Sequence, residues 1–364
     1  MSPISSSLLP EAPQTAVLPS DKLDIAIVGL GFGRTIVDDV RAEPAASLFN
    51  LSAVCDLDEA RLREHSERSG VTGYRSLDEL LEKDNSPVIG LFSAPHGRAK
   101  LVRKIIRAGR DVLTTKPFEV DPVEAASVLE EARSLGRIVH MNSPGPAPSQ
   151  DLRLVDEWRV RHDLGRPVGG SARVWVSYDE KADGSWVDDP KRCPAAPLFR
   201  LGIYLFNDMR HIFGPAESLQ LMTSSLRTGR PTPDNAQVNI KYRNGALGQV
   251  FASFCVRDGD HYRNSMVLNF ERGTIYRNAG GLRKGPDSGK GEIVLVREGR
   301  NNVRRVVELS ELTEISGLYQ WAVLAEAVRQ RRIPGESSIA DIVEGIRLVR
   351  AMSKAEGSPS AVTV

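Results

Sequence analysis

Three glycines in five positions, Gly29, Gly31 and Gly33, follow at once on the apolar run Ile25-Ala26-Ile27-Val28. Such a run reads as a central parallel strand buried on both faces. Glycines placed there permit a tight turn and let backbone N–H groups approach a pyrophosphate, which then rests against the positive end of the next helix. That helix is expected over Arg34 to Val40. The spacing departs from G-x-G-x-x-G, because the third glycine comes one residue early and Arg34 holds its usual place. A second apolar run, Leu51 to Cys55, ends in Asp56, in the window where an acidic side chain accepts from the ribose hydroxyls of a dinucleotide. A carboxylate there repels a 2′-phosphate, so the pattern predicts NAD over NADP. Asp56 and Asp58 have a plainer use as N-caps of a helix over Glu59 to Ser69, and one of the pair can cap while the other binds.

Strands and helices must alternate to position these residues. Strand-like runs occur at Leu23 to Val28, Leu51 to Cys55, Val88 to Phe92, Asp111 to Leu113 and Ile138 to Met141. Helical stretches lie between them at Glu59 to Ser69, Leu77 to Glu82, Arg98 to Ala108 and Val123 to Leu135, the last opened by Asp121 as N-cap and Pro122 at the first turn. Repeated βαβ units imply a doubly wound parallel sheet, a Rossmann architecture, over 21–145. Three prolines within Ser143 to Pro148 break the alternation and mark a linker. Beyond it come helices at Leu152 to Arg161 and Leu198 to Phe213 and a strand at Ala172 to Tyr178. Turn-separated strands follow at Gln237 to Tyr242, Ala246 to Val256, Tyr262 to Phe270 and Ile293 to Val296. The 146–364 portion is therefore expected to be α+β, with an open, mostly antiparallel sheet. Two last helices, near Tyr319 to Gln330 and Ile339 to Met352, can pack back on either part.

At 364 residues the chain exceeds what one core usually serves. Forty-eight basic against 47 acidic residues leave no electrostatic footprint for nucleic acid or an anionic membrane. The three cysteines, Cys55, Cys193 and Cys255, are far apart and lack C-x-x-C pairing, against a disulfide framework or a metal site. Residues 1–20, rich in Ser, Pro and Ala, read as a disordered tail without a signal-peptide core, and no apolar run is long enough for a membrane span. A reducing cytoplasm is the expected setting.

Several segments in order then resemble the Gfo/Idh/MocA oxidoreductases, the glucose-fructose oxidoreductase and inositol dehydrogenase group. They are LDIAIVGLGFGR, AVCDLD, SLDELLE, SAPH, VLTTKPFEVDPVEAASVLEEARSLG, LGRPVGG, LGIYLFNDMRHIFG and AVLAEAVRQRRIPGESSIADIVEGIRLVR, spread over about residues 23 to 355. The resemblance implies a Rossmann domain followed by a sheet that covers the nicotinamide and forms a homodimer or homotetramer interface. It implies cofactor contacts from Gly29, Gly31, Phe32, Gly33, Arg34 and Asp56, and from Ser93, Pro95 and His96 at the end of a strand. Lys116, in Thr115-Lys116-Pro117, matches the lysine of the family's E-K-P motif, which lies beside the substrate hydroxyl and the nicotinamide. An ammonium there stabilises a developing alkoxide, and with a lowered pKa it relays the proton. Tyr204 of LGIYLFN matches the proposed proton donor or acceptor of the glucose-fructose oxidoreductase branch.

Around that tyrosine, Arg200, Tyr204, Asn207 and His211 recur every three or four residues and so share one face of a helix, which would point at substrate. Trp186, in SWVDDP, offers a ring on which a sugar can stack. Departures from the family pattern are equally specific. Arg200 stands where many members place an aspartate, Pro194-Ala195-Ala196 replaces a glycine run, and Ala99 replaces a histidine while His96 sits where asparagine is usual. Arg200 is expected to bind an anionic substrate group or to depress the pKa of Tyr204. The expected function is an NAD-dependent oxidoreductase acting at a secondary hydroxyl or hemiacetal carbon of a sugar, polyol or related cyclic compound. The alternatives are a catalytically silent NAD-binding sensor on the same fold, and NAD-assisted epimerisation or glycosidic cleavage without net redox.

Overall fold

A computed structural model describes residues 22–258, 263–279, 291–332, 339–358 and 360–364. The expected tail over 1–20 and Tyr262, the first residue of the strand expected to run to Phe270, lie outside the described residues.

Six parallel strands form the first sheet: β1 (Leu23–Val28), β2 (Phe49–Cys55), β3 (Thr72–Tyr74), β4 (Val88–Leu91), β5 (Asp111–Thr114) and β6 (Val139–Met141). Their spatial order is β3-β2-β1-β4-β5-β6, so the crevice at the strand C-termini opens where the order reverses between β1 and β4. The crossovers are α1 (Leu30–Val40), α2 (Glu59–Ser69), α3 (Leu77–Lys83), α4 (Arg98–Arg107) and α5 (Pro122–Ser134). Local signals set their starts. Asp58, Ser76 and Asp121 each accept a backbone N–H as N-cap of α2, α3 and α5, and Pro122 stands in the first turn of α5. Helix α1 begins at Leu30, four residues before the expected start, because Gly29 alone makes the turn in the left-handed region at φ 87°.

The second sheet follows α6 (Gln150–Arg161). It contains β7 (Pro167–Trp175), β8 (Ala216–Ser224), β9 (Asn235–Tyr242), β10 (Leu247–Ser253), β11 (Arg263–Phe270), β12 (Gly273–Ala279), β13 (Gly291–Glu298), β14 (Arg304–Leu312) and β15 (Val362–Thr363). In the order β14-β13-β12-β11-β7-β10-β9-β8-β15, every pairing is antiparallel except β7 with β10. Alternation decides the faces: Ala172 and Val174, Val238 and Ile240, Met266 and Leu268 point into a core beneath α6 and α7 (Ile203–Phe213). On the opposite face Val267, Tyr276 and Val294 lie side by side in register and stay half-buried.

The last two helices return to the first sheet. Trp321, Leu324 and Val328 of α8 (Trp321–Gln330) join Ile25, Ile27 and Val37 in one core. In α9 (Ile339–Ala355), Ile342, Val343 and Ile346 belong to the core of the first sheet, whereas Leu348, Val349 and Met352 belong to that of the second. A single helix thus serves both.

One buried charge cluster ties the second part together. The guanidinium of Arg277, 1% exposed, donates to Asp151 at 2.5 Å, Asp208 at 3.2 Å and Asn264 at 2.6 Å. Ser149 donates to Asp151 at 2.5 Å and Ser316 to Asp208 at 2.7 Å, so α6, α7, the sheet and the segment before α8 all meet there. Burial beside Asp151 lifts the Asp208 carboxyl to about 6, against the attraction of Arg277. Arg277→Met strands two buried carboxylates, and guanidinium unfolding should show a loss of about 3–5 kcal/mol. A change below about 1 kcal/mol would refute this role for the cluster.

Candidate active site

At the β1–α1 turn the three glycines do different work. A Cβ on Gly29 would lie 2.9 Å from both the carbonyl carbon and oxygen of Phe92, and one on Gly33 would lie 3.1 Å from Ile27 Cγ2. These two let α1 press against β1 and β4. A Cβ on Gly31 would meet nothing closer than Arg61 Nη1 at 3.9 Å, so the outer side of the turn is open backbone. Gly29 gives α1 no side-chain cap; instead Asp56 Oδ2 accepts the Leu30 N–H at 2.6 Å. The carboxylates divide their labour: Asp58 accepts from Arg61 N at 3.0 Å and caps α2, while Asp56 faces the glycine turn and pairs with Arg61 at 3.4 Å. An open Gly31 backbone at a helix N-terminus, with a carboxylate at the end of β2, suits the pyrophosphate and ribose of a dinucleotide. Phe32, half-exposed, packs on Phe92 with ring centroids 5.9 Å apart. Arg34 falls outside this arrangement and lines a separate cavity of about 450 Å³ with Asp58, Arg61 and Arg68.

The end of β5 carries Thr115-Lys116-Pro117, with a cis bond before Pro117. Arg98, 2% exposed at the start of α4, threads beneath it. Its guanidinium donates to the carbonyls of Thr115 and Pro117 at 2.5 Å, of Phe118 at 3.4 Å, and of Ser93 at the end of β4. Glu119 caps α4 by accepting from Gly97 N at 3.2 Å and Ala99 N at 2.9 Å. Fixed in this way, the Lys116 ammonium donates to the Arg200 carbonyl and stands 4.2 Å from the centroid of the Tyr204 ring. Burial, reinforced by the charges of Arg200 and Arg98, pushes its pKa down to about 7.

Asn142, just past β6, organises both partners. Its amide oxygen accepts from Thr115 Oγ1 at 3.2 Å and Lys116 N at 3.3 Å. Its amide nitrogen donates to Tyr204 Oη at 3.2 Å and to the Gly317 carbonyl at 3.1 Å. Sequence reasoning missed this residue, although a polar side chain at the C-terminal end of a parallel strand is where crevice ligands come from.

Lys116 and Tyr204 share a cavity of about 1420 Å³ whose lining also includes Gly29, Gly31, Phe32, Asp56, Ser93, Pro95, Trp186 and Arg200. It runs from the glycine turn to the start of α7, where residues Leu198–Gly202 form a π turn. His96 packs edge-on to Trp186, centroids 5.7 Å apart, and burial lowers its pKa. Arg200 has an internal partner: its terminal nitrogens donate to both oxygens of Glu180 at 2.7 and 2.8 Å.

Asn207 and His211, expected to touch substrate, do not line this cavity. Asn207 donates to Ser143 Oγ at 2.8 Å, and His211 pairs with Asp156 at 2.7 Å, which raises its pKa. Both line a smaller cavity of about 420 Å³. They do share a face of α7 with Tyr204, but one to two turns further along. There Gly317 crosses the helix so closely that a Cβ on it would lie 2.9 Å from the Tyr204 ring. The crossing segment closes the large cavity at Tyr204.

Residues 23–143 match the model of an oxidoreductase family with an NAD-binding Rossmann fold, and residues 152–276 match the GFO/IDH/MocA C-terminal domain. Among relatives, an uncharacterized oxidoreductase of Synechocystis is 24% identical over 223 residues, 59% of this chain and 57% of that protein. A D-apiose dehydrogenase of Paraburkholderia graminis is 22% identical over 237 residues, 64% of this chain and 60% of that protein. The matches thus span less than two thirds of those relatives' own lengths. A levoglucosan dehydrogenase solved with NADH superposes with a TM-score of 0.73 at 15% identity, over 94% of this chain and 99% of that one. Two tandem family matches, one on each sheet, place the chain in the GFO/IDH/MocA family of NAD-binding oxidoreductases.

Proposed function

We propose that the protein transfers hydride at a secondary hydroxyl or hemiacetal carbon of a sugar, polyol or related cyclic compound, with Lys116 and Tyr204 managing the proton. The observation that carries this reading is the Lys116 ammonium, its pKa lowered to about 7, held against Tyr204 in the cavity that also contains the glycine turn. NAD, when bound, supplies the acceptor or donor of the hydride. Gly31, Asp56 and the strand-end Ser93 and Pro95 would hold it. As a neutral amine Lys116 takes the hydroxyl proton; as an ammonium it stabilises the developing alkoxide or returns that proton. Asn142 fixes the Tyr204 hydroxyl beside it. Tyr178, Trp186 and Phe199 give the cavity apolar walls suited to a sugar ring. Neighbours described as acting on levoglucosan and on D-apiose point to the same substrate class. The half-buried row Val267, Tyr276 and Val294 on the open sheet face is the proposed contact between copies of the chain.

For oxidation the neutral amine is the active form. The logarithm of kcat/KM should rise with unit slope up to about pH 7 and then level. A profile without a group titrating near 7 would remove Lys116 as the base. Absorbance at 340 nm with NAD and a panel of sugars, polyols, sugar acids and dihydrodiols tests the activity directly. Lys116→Met should lower kcat by about 10²–10⁴-fold on whichever compound is turned over. NADH binding without turnover of any compound would move the sensor reading ahead. Stability gives an independent check. The folded-state pKa is about 7 against an ordinary 10.5, so between these values the unfolded chain binds the extra proton and stability rises with pH. Lys116→Met should therefore flatten that rise and melt higher than wild type at pH 7.

A further inference from the structure

Beside Lys116 the cavity wall holds an ion pair that the proton chemistry does not use. Arg200 lines the cavity, bound to Glu180 through both terminal nitrogens at 2.7 and 2.8 Å. Its guanidinium stacks on the rings of Tyr178 and Phe254, each centroid 4.9 Å away. Arg230, held by Asp188 at 2.7 Å, stands 3.7 Å from the same Glu180 carboxylate. Bidentate pairing is the geometry by which a planar guanidinium recognises the carboxylate of a ligand. Here a carboxylate of the chain already fills that seat. The other cations lining the cavity wall are engaged as well: Arg61 with Asp56 at 3.4 Å, Arg98 with backbone carbonyls, Lys116 with the Arg200 carbonyl, and Arg153 with Glu314 at 3.4 Å.

We propose that Glu180 sets the substrate class: by keeping Arg200 in a closed pair, it directs the site toward uncharged sugars and polyols and against sugar acids. The proposal rests on the carbohydrate reading above. An entering carboxylate must either displace Glu180 or give up its hydration without a partner, and both disfavour it relative to the parent alcohol. Sequence alone left Arg200 either to bind an anionic substrate group or to depress the pKa of Tyr204, because Glu180 lies 20 residues upstream with no motif to connect them.

Sulfate serves as a probe that needs no knowledge of the substrate. With the pyrophosphate seat at the glycine turn filled by saturating NADH, wild type should show no saturable rise in Tm at low-millimolar sulfate, beyond the gradual, non-saturating rise that exclusion of sulfate gives any protein. Glu180→Gln should gain that saturable rise in Tm, and Glu180→Gln with Arg200→Gln should lose it. In the 340 nm panel, wild type should turn over parent sugars in preference to their acids. Glu180→Gln should raise kcat/KM for an acid relative to its parent by about tenfold to a hundredfold, the range of one charge-assisted hydrogen bond. An equal sulfate response in wild type, or a wild-type preference for an acid over its parent, overturns the proposal. Should Glu180→Gln fail to fold, the wild-type sulfate response and acid-to-parent ratio decide it alone. If nothing in the panel reacts, the oxidoreductase reading fails while the sulfate response still decides whether Glu180 closes the Arg200 seat.

Discussion

A guanidinium buried with no carboxylate hydrogen-bonded to it is expensive to desolvate, and Arg98 is such a group; burial lowers its pKa to about 10, against the attraction of nearby Glu119. What compensates is a set of backbone carbonyls from Ser93 and from the Thr115–Phe118 turn. Those carbonyls belong to the ends of two neighbouring strands, and a parallel sheet leaves its strand-end groups without ladder partners. One side chain thus satisfies several orphan acceptors and fixes the turn that presents Lys116. Its positive charge also contributes to holding the lysine's pKa near neutrality. Structure and chemistry depend on the same group, so neither can be altered at Arg98 without the other.

From that turn the order spreads through polar contacts between the two sheets. Asn142 spends all its hydrogen-bonding capacity on Thr115, Lys116, Tyr204 and Gly317, which belong to three separate stretches of chain. The stretch containing Gly317 is anchored through Ser316 to Asp208 and so to the Arg277 cluster. Charge in the interior therefore specifies how α7 and the crossing segment sit on the first sheet, while apolar packing supplies most of the adhesion.

Local signals made the first sheet readable. Asp58 and Asp121 cap where their types say they should, and buried strands such as Ile25 to Val28 are apolar throughout. Three-residue β3 and the strands β14 and β15, which lie at sheet edges, escaped notice, as did β8 and β12, because a short or edge strand needs little apolar content and is defined by its partner in the sheet. Helical periodicity placed Arg200, Tyr204, Asn207 and His211 on one face, which α7 bears out for the last three. It could not show that Gly317, more than a hundred residues later, divides that face into two cavities. Glu180 and Asn142 were hidden for the same reason: their significance comes from contacts that close long loops.

Helix α9 has one half in each core, and α8 completes the packing around β1. During synthesis the first sheet emerges with Ile27 and Val37 lacking Trp321, Leu324 and Val328, which lie nearly three hundred residues downstream. Helices α8 and α9 must therefore be made before either half can close its interior. A nascent Rossmann half lacks part of its interior until α8 and α9 are made, and removing these two helices opens the cores around the cofactor-binding sheet.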